Sequence, residues 1–177
     1  MSCTQTISGL GRDCSNNTGG LKKVYIGPFD EGKTIAITSG AISTYTATVG
    51  AANYKAFNFR TGAASMTSTS TIDAASGTSM VSTQLVMNFG RMEATKRTEI
   101  QALLQGQVQV IAVDNNGIAW LLGGTNPVLA VGSQNGQTGA AMTDANQYSI
   151  TLQNDEGFLP YPFSDATVYS SVVDEVS

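Results

Sequence analysis

The chain has 177 residues, 41% hydrophobic but only 12% charged, with nine Lys and Arg against thirteen Asp and Glu and no histidine. That length predicts one domain with a sizeable core, and the lack of any basic tract argues against a phosphate-gripping surface. Without histidine, no Ser-His-Asp or Cys-His device can form within the chain, and the commonest metal ligand is missing. Charge at about half the usual share, with abundant Ser, Thr, Ala and Gly, fits a surface packed against copies of itself better than that of a freely soluble monomer.

Residues 1–20 predict an N-terminal arm. Asp13-Cys14-Ser15-Asn16-Asn17-Thr18-Gly19-Gly20 is loop chemistry, since Asx residues bond their own backbone and Gly accepts positive φ. Cys3 and Cys14 are the two cysteines. With no His and no second Cys pair, a zinc site is not expected. No signal peptide and no run of about 20 apolar residues is visible, so synthesis in a reducing cytoplasm, with free thiols, is the expectation.

Lys22 to Ile26 predicts a strand stopped by Gly27-Pro28, because proline lacks the amide hydrogen a ladder needs. After a turn, Thr34–Thr38 predicts a second β region that Ile42, Tyr45 and Thr46 to Val49 extend. Tyr54 to Arg60 alternates as a strand with Phe57 and Phe59 on one face. Residues 63–90 predict the longest hairpin. Its outgoing strand is a Ser/Thr run and its turn is Ala74 to Thr78. Its return strand puts Val81, Thr83, Leu85, Met87 and Phe89 on one face and Ser82, Gln84, Val86 and Asn88 on the other. Ten residues reach about 33 Å. A strand that long is an edge liability unless another chain pairs with it.

Residues 92–105 predict the one helix. Glu93 sits at its positive end, Ile100, Leu103 and Leu104 make an apolar stripe, Glu93 can pair with Arg97 at i+4, and Gly106 ends it. Val108 to Val113 and Ile118 to Leu122 flank Asp114-Asn115-Asn116-Gly117, in which Asn-Gly predicts a two-residue hairpin turn. Pro127 to Val131 predicts another strand, 132–146 a glycine-rich loop, and Tyr148 to Leu152 the strand that closes the sheet. From Gly157 the chain reads Phe158-Leu159-Pro160-Tyr161-Pro162-Phe163, an extended segment suited to a groove, and then turns acidic. The expected fold is mainly β: a β-sandwich or partial barrel (21–156) with one flanking α-helix and a long hairpin, between an arm (1–20) and an extended tail (157–177).

None of the chemical candidates is complete. Asp114 with Asn115 and Asn116 resembles half a calcium loop but lacks the carboxylates of an oxygen cage. Glu93 and Glu99 face nearly opposite sides of a helix. Either cysteine would need a base. Trp120, Tyr148 and the aromatic tail fit a core or an interface. No catalytic residue, metal or cofactor is expected.

Three patches together resemble a known group. They are Leu85 through Asn88-Phe89-Gly90-Arg91-Met92-Glu93 to Leu103 with Val113-Asp114-Asn115-Asn116-Gly117 running on to Trp120; Asp13 to Tyr25; and glycine-rich Gly132 leading to Asp144-Ala145-Asn146-Gln147-Tyr148. The chain is similar in these patches to virion structural proteins of tailed phages infecting Bacteroides-type bacteria. The resemblance implies a tail-tube-like fold, in which subunits form rings, usually hexameric, and the rings stack. Hairpins from neighbours pair into a closed inner barrel that conducts DNA, and arms and loops bridge successive rings. The same fold serves in head-to-tail adaptor and completion rings.

The expected partners are copies of the chain itself and other virion tail or neck proteins, with phage DNA passing through without tight binding and no membrane anchor. The expected location is the virion tail, after synthesis in the host bacterial cytoplasm. Thr67, Thr69, Thr71, Val81, Thr83, Leu85, Met87 and Phe89 are the residues expected in the inter-subunit barrel. Ile100, Leu103 and Leu104 are expected to pack the helix. Asn16, Asn17, Phe158, Tyr161 and Phe163 are expected to reach adjacent subunits. The other class in view is a capsid-decorating or adhesin β-sandwich that binds carbohydrate; a hydrolase is the weakest reading, for want of histidine and paired acids.

Overall fold

The structure, a computed structural model, describes residues 9–10, 17–48, 54–132 and 135–174. In chain order the elements are β1 (Leu21–Pro28), β2 (Thr34–Thr38), β3 (Ala41–Thr46), β4 (Tyr54–Phe57), β5 (Ala64–Asp73), β6 (Thr78–Gly90), α1 (Ala94–Gln105), β7 (Val108–Asp114), β8 (Ala119–Leu122), β9 (Leu129–Ala130), β10 (Asn135–Gln137), β11 (Gln147–Glu156), β12 (Tyr161–Pro162), α2 (Thr167–Ser170) and β13 (Val173–Asp174). The fold is mainly β, with several sheets and a flanking helix.

A six-stranded sheet runs in the order β12-β8-β7-β1-β4-β13, antiparallel except where β13 lies parallel to β4. A second sheet runs β10-β11-β6-β5, with β9 beside β11. The two pack face to face. Val24 and Ile26 of β1 and Val110 and Ala112 of β7 meet Leu85, Met87, Ile150 and Leu152 in one core. Because side chains alternate along a strand, Tyr25 and Ile111 emerge on the other face of the six-stranded sheet. There they form a second core with Ile42, Tyr45, Tyr54, Phe163 and Tyr169. Burial on both faces explains why Val108 to Ala112 is buried without a break.

The tail builds that second core, which corrects the expected boundary at 157. β12 pairs with β8, and the Phe163 and Ser164 amides donate to the carbonyls of Ala119 and Ile42. Phe163 packs edge-on to Tyr45 and against Tyr169, at 5.8 and 5.1 Å between centroids. Residues 161–174 are thus part of the domain, held by aromatic burial that their spacing does not announce.

Three turns also depart from expectation. Thr34 to Thr46 folds back on itself: Ser39 and Gly40 both have positive φ, 54° and 81°, as a tight two-residue hairpin turn needs, while Val49 lies outside the described residues. The β7–β8 loop holds three residues, Asn115-Asn116-Gly117, because Asp114 N–H donates to the Ile118 carbonyl and Gly117 takes φ 87°. The 132–146 stretch is not all loop, since β10 pairs with β11.

α1 begins at Ala94, two residues later than expected. Ile100 and Leu103 are buried, but Leu104 is 39% exposed. At 100° per residue, the buried face centres between Ile100 and Leu103 and leaves Leu104 about 70° off it. Glu93 pairs with Lys96 at 2.9 Å rather than with Arg97. Gly106 leaves the helix in extended backbone; a Cβ there would meet the Ala102 carbonyl oxygen at 3.1 Å.

Candidate assembly surface

The β5–β6 ladder pairs Thr67 with Gln84, Thr69 with Ser82 and Thr71 with Met80. Directly paired residues share a face. The three threonines therefore stand with Ser82, Gln84, Val86 and Asn88, and β11 adds Ser149, Thr151, Gln153 and Asp155 to the same face. That face turns away from the core. It carries mostly hydroxyls and amides, with Val86 and, toward the tip, Met80; it has no cation and two carboxylates, Asp73 at the tip and Asp155. The Gln84 side-chain amide donates to Gln153 Oε1 at 3.0 Å, and Gln153 donates in turn to Asp155. Hydrogen bonds from Ser76 and from backbone N–H groups hold the Asp73 carboxyl below its ordinary pKa.

Val81, Thr83, Leu85, Met87 and Phe89 lie on the opposite face, between 0% and 7% exposed. They are part of this subunit's own core and not directly available to a neighbour. The cause is the position of β6, an inner strand between β5 and β11 whose apolar face must meet the six-stranded sheet. Thr83 fits there by sharing a hydrogen bond with the Ser68 hydroxyl at 2.9 Å.

Among the described residues no strand pairs with the outer edge of the ten-residue β5. β11 ends at Glu156, opposite Val81, so residues 71–80 overhang the rest of the sheet. The overhang is exposed on both faces, with Ile72 at 72% and Met80 at 46%.

At the other end of β6 a cleft of about 440 Å³ opens between β4 and α1, lined by Lys55, Phe57, Phe89, Lys96, Glu99 and Ile100 among others. A second hollow adjoins it and adds Arg60, Arg91 and Asp144. Phe57 and Phe89 pack at 6.0 Å between centroids. The sequence hides this cleft because its walls come from three separated segments; only the Phe57/Phe59 alternation hints at it.

The expected arm and tail residues fall differently. Asn16, Cys3 and Cys14 lie outside the described residues. Asn17 is bound within the subunit: Asn116 Nδ2 donates to Asn17 Oδ1, and Thr18 N–H donates to Asn116 Oδ1. Tyr161 is half-buried against Phe158, and Phe163 is buried in this subunit's own second core. Phe158 and Leu159 remain outward, at 37% and 59%.

Buried polar groups serve the fold. Gln109, fully buried, accepts from the hydroxyls of Tyr45 and Tyr54 and donates to the Gly123 carbonyl. Burial raises both phenol pKa values, Tyr54's most strongly, so both stay protonated donors at neutral pH. Asp30 accepts from Gly32 N–H and from Thr48. Asp114 accepts from Asn116 and Ile118 N–H and from the Trp120 indole, which spends its oxygens on the turn. Among the described residues no group of His, Cys, Asp or Glu is placed to hold a metal ion. No described helix is long and apolar enough to cross a membrane. No protein-family model matches the chain, and neither does any curated protein or solved structure.

Proposed function

We propose that the chain is a structural subunit of a phage tail tube, assembling through copies of itself into stacked rings that form a DNA conduit. One observation carries the reading: a sheet with a cation-free outer face, mostly hydroxyls and amides, ends in a long, overhanging edge strand with which no described strand pairs. Such an edge invites pairing with another chain, and closure around a ring abolishes it. With β5 of one copy against the β9–β10 side of the next, Thr67, Thr69, Thr71, Ser82 and Gln84 would line the lumen.

A lumen without cations suits its cargo. Duplex DNA is held by Lys and Arg that release counterions, and each such contact would slow passage. Asp155 repels phosphate mildly instead. The apolar face of β6 has the complementary role of keeping the barrel wall rigid from behind. The other partners in this reading are tail or neck proteins at the ends of the tube, and its location is the virion tail.

Negative-stain microscopy of the purified chain tests the reading. Rings or tubes with a central channel are expected. Single rings that never stack would favour a head-to-tail adaptor of the same fold. A chain that stays monomeric at high concentration would overturn both, and glycan binding by that monomer would favour an adhesin.

A further inference from the structure

We infer that the overhanging tip of the long hairpin docks into the β4–α1 cleft of a second copy, making the contact that stacks one ring on the next; this rests on the tail-tube reading. The tip presents Ile72, 72% exposed, on one face of the hairpin and Asp73 on the other, its carboxylate accepting from the Ala75 N–H and the Ser76 hydroxyl. The cleft presents an apolar floor of Phe57, Phe89 and Ile100. At its rim stands Arg60, exposed and without an ion pair to any described residue. A hairpin tip with an apolar side chain on one face and a carboxylate on the other thus has, on the same molecule, an apolar hollow with a cation at its rim.

Their placement decides what kind of contact they can make. Ile72 pairs with Ser79, and Phe89 is ten residues further along β6. At 3.3 Å per residue the two lie about 33 Å apart, at opposite ends of one strand. A knob and a hollow on opposite ends of a rigid element cannot meet within one subunit. Between copies they make a head-to-tail contact, which propagates along the strand direction instead of closing on itself. Lateral closure through the β5 edge and axial growth through the tip would then use separate surfaces. Of the other cations of the cleft and its adjoining hollow, Lys96 is engaged by Glu93 and the Gly90 carbonyl, Arg91 lies 3.9 Å from Glu93 and Lys55 pairs with Asp174, which leaves Arg60 as the partner for Asp73.

The test is photo-crosslinking in the assembled full chain, with Ile72 replaced by p-benzoylphenylalanine and isotope-labelled and unlabelled copies mixed. Crosslinks between differently labelled copies, joining position 72 to the peptides carrying Phe57 or Phe89, are expected. Arg60→Glu should cut their yield about tenfold, the scale of a broken interfacial charge pair, and adding Asp73→Arg should restore it. Rings whose position 72 crosslinks only to β10 or β11, or only within its own copy, overturn the docking inference and leave the ring reading standing. A chain with neither rings nor intermolecular crosslinks overturns both.

Discussion

The side-chain amide of Gln84 donates to Gln153 at 3.0 Å across β6 and β11, on the face that turns away from the core. Two residues behind it on the same strand, Ser82 faces Thr69, and one residue ahead Leu85 is fully buried. One strand thus separates a neutral polar surface from a packed core. Mutations on its two faces should have unlike consequences.

Leu85→Ala should destabilise the subunit by about 2–5 kcal/mol, the range for a large buried aliphatic cut back to Ala. Thr69→Ala should change monomer stability by less than about 0.5 kcal/mol. Urea unfolding of the two variants checks the pair. Equal losses would mean that the sheet's faces are not divided as described.

Gln109→Leu removes the buried acceptor that the Tyr45 and Tyr54 hydroxyls share, leaving them only each other, and should cost about 1–3 kcal/mol. The same two tyrosines set an alkaline limit. Their pKa values are raised in the folded state by burial, above an unfolded value of 10.0. A raised pKa contributes stability that is complete below the unfolded value and is lost as pH climbs beyond it. Unfolding midpoints should hold level up to about pH 10 and fall above it, and Gln109→Leu should start from a lower plateau.

Phe163→Ala should cost about 3–5 kcal/mol, as a core aromatic does, because the tail closes the second core. A tail that merely lay on a neighbour would give a monomer as stable as the parent. Thermal unfolding at low concentration separates the two.

The conduit account makes a prediction about charge. Thr67→Lys with Gln84→Lys places cations on the proposed lumen. The assembled variant should hold duplex DNA, with a salt slope growing by about one for each phosphate neutralised, where the parent retains little. A filter-binding titration over salt reads it.

Much of this fold was legible in the residues. The period-two alternation of Val81 to Phe89 located β6, and the Ser/Thr run before it located β5, since both are local patterns. The helix was found from Ile100 and Leu103, though Leu104 shows that a three-residue stripe does not fix which edge of it faces the sheet. What stayed hidden is non-local. Val81, Leu85 and Met87, expected in the inter-subunit barrel, pack this subunit's own core, because a sequence does not reveal whether a strand is central or at an edge. Phe163 packs its own second core and not a neighbour, since an aromatic among prolines looks the same in sequence whether it covers its own sheet or another's. The cleft under Phe57 and Phe89 depends on three segments meeting.

The most direct measurement of the central claim is sedimentation velocity, with microscopy, on a chain lacking Thr69 to Thr78. The deletion takes most of the overhanging residues 71–80 and beyond them only Thr69 and Ser70, both exposed, so the shortened chain should fold. The account predicts a folded monomer that forms neither rings nor tubes. Tubes of normal length from the shortened chain would contradict it.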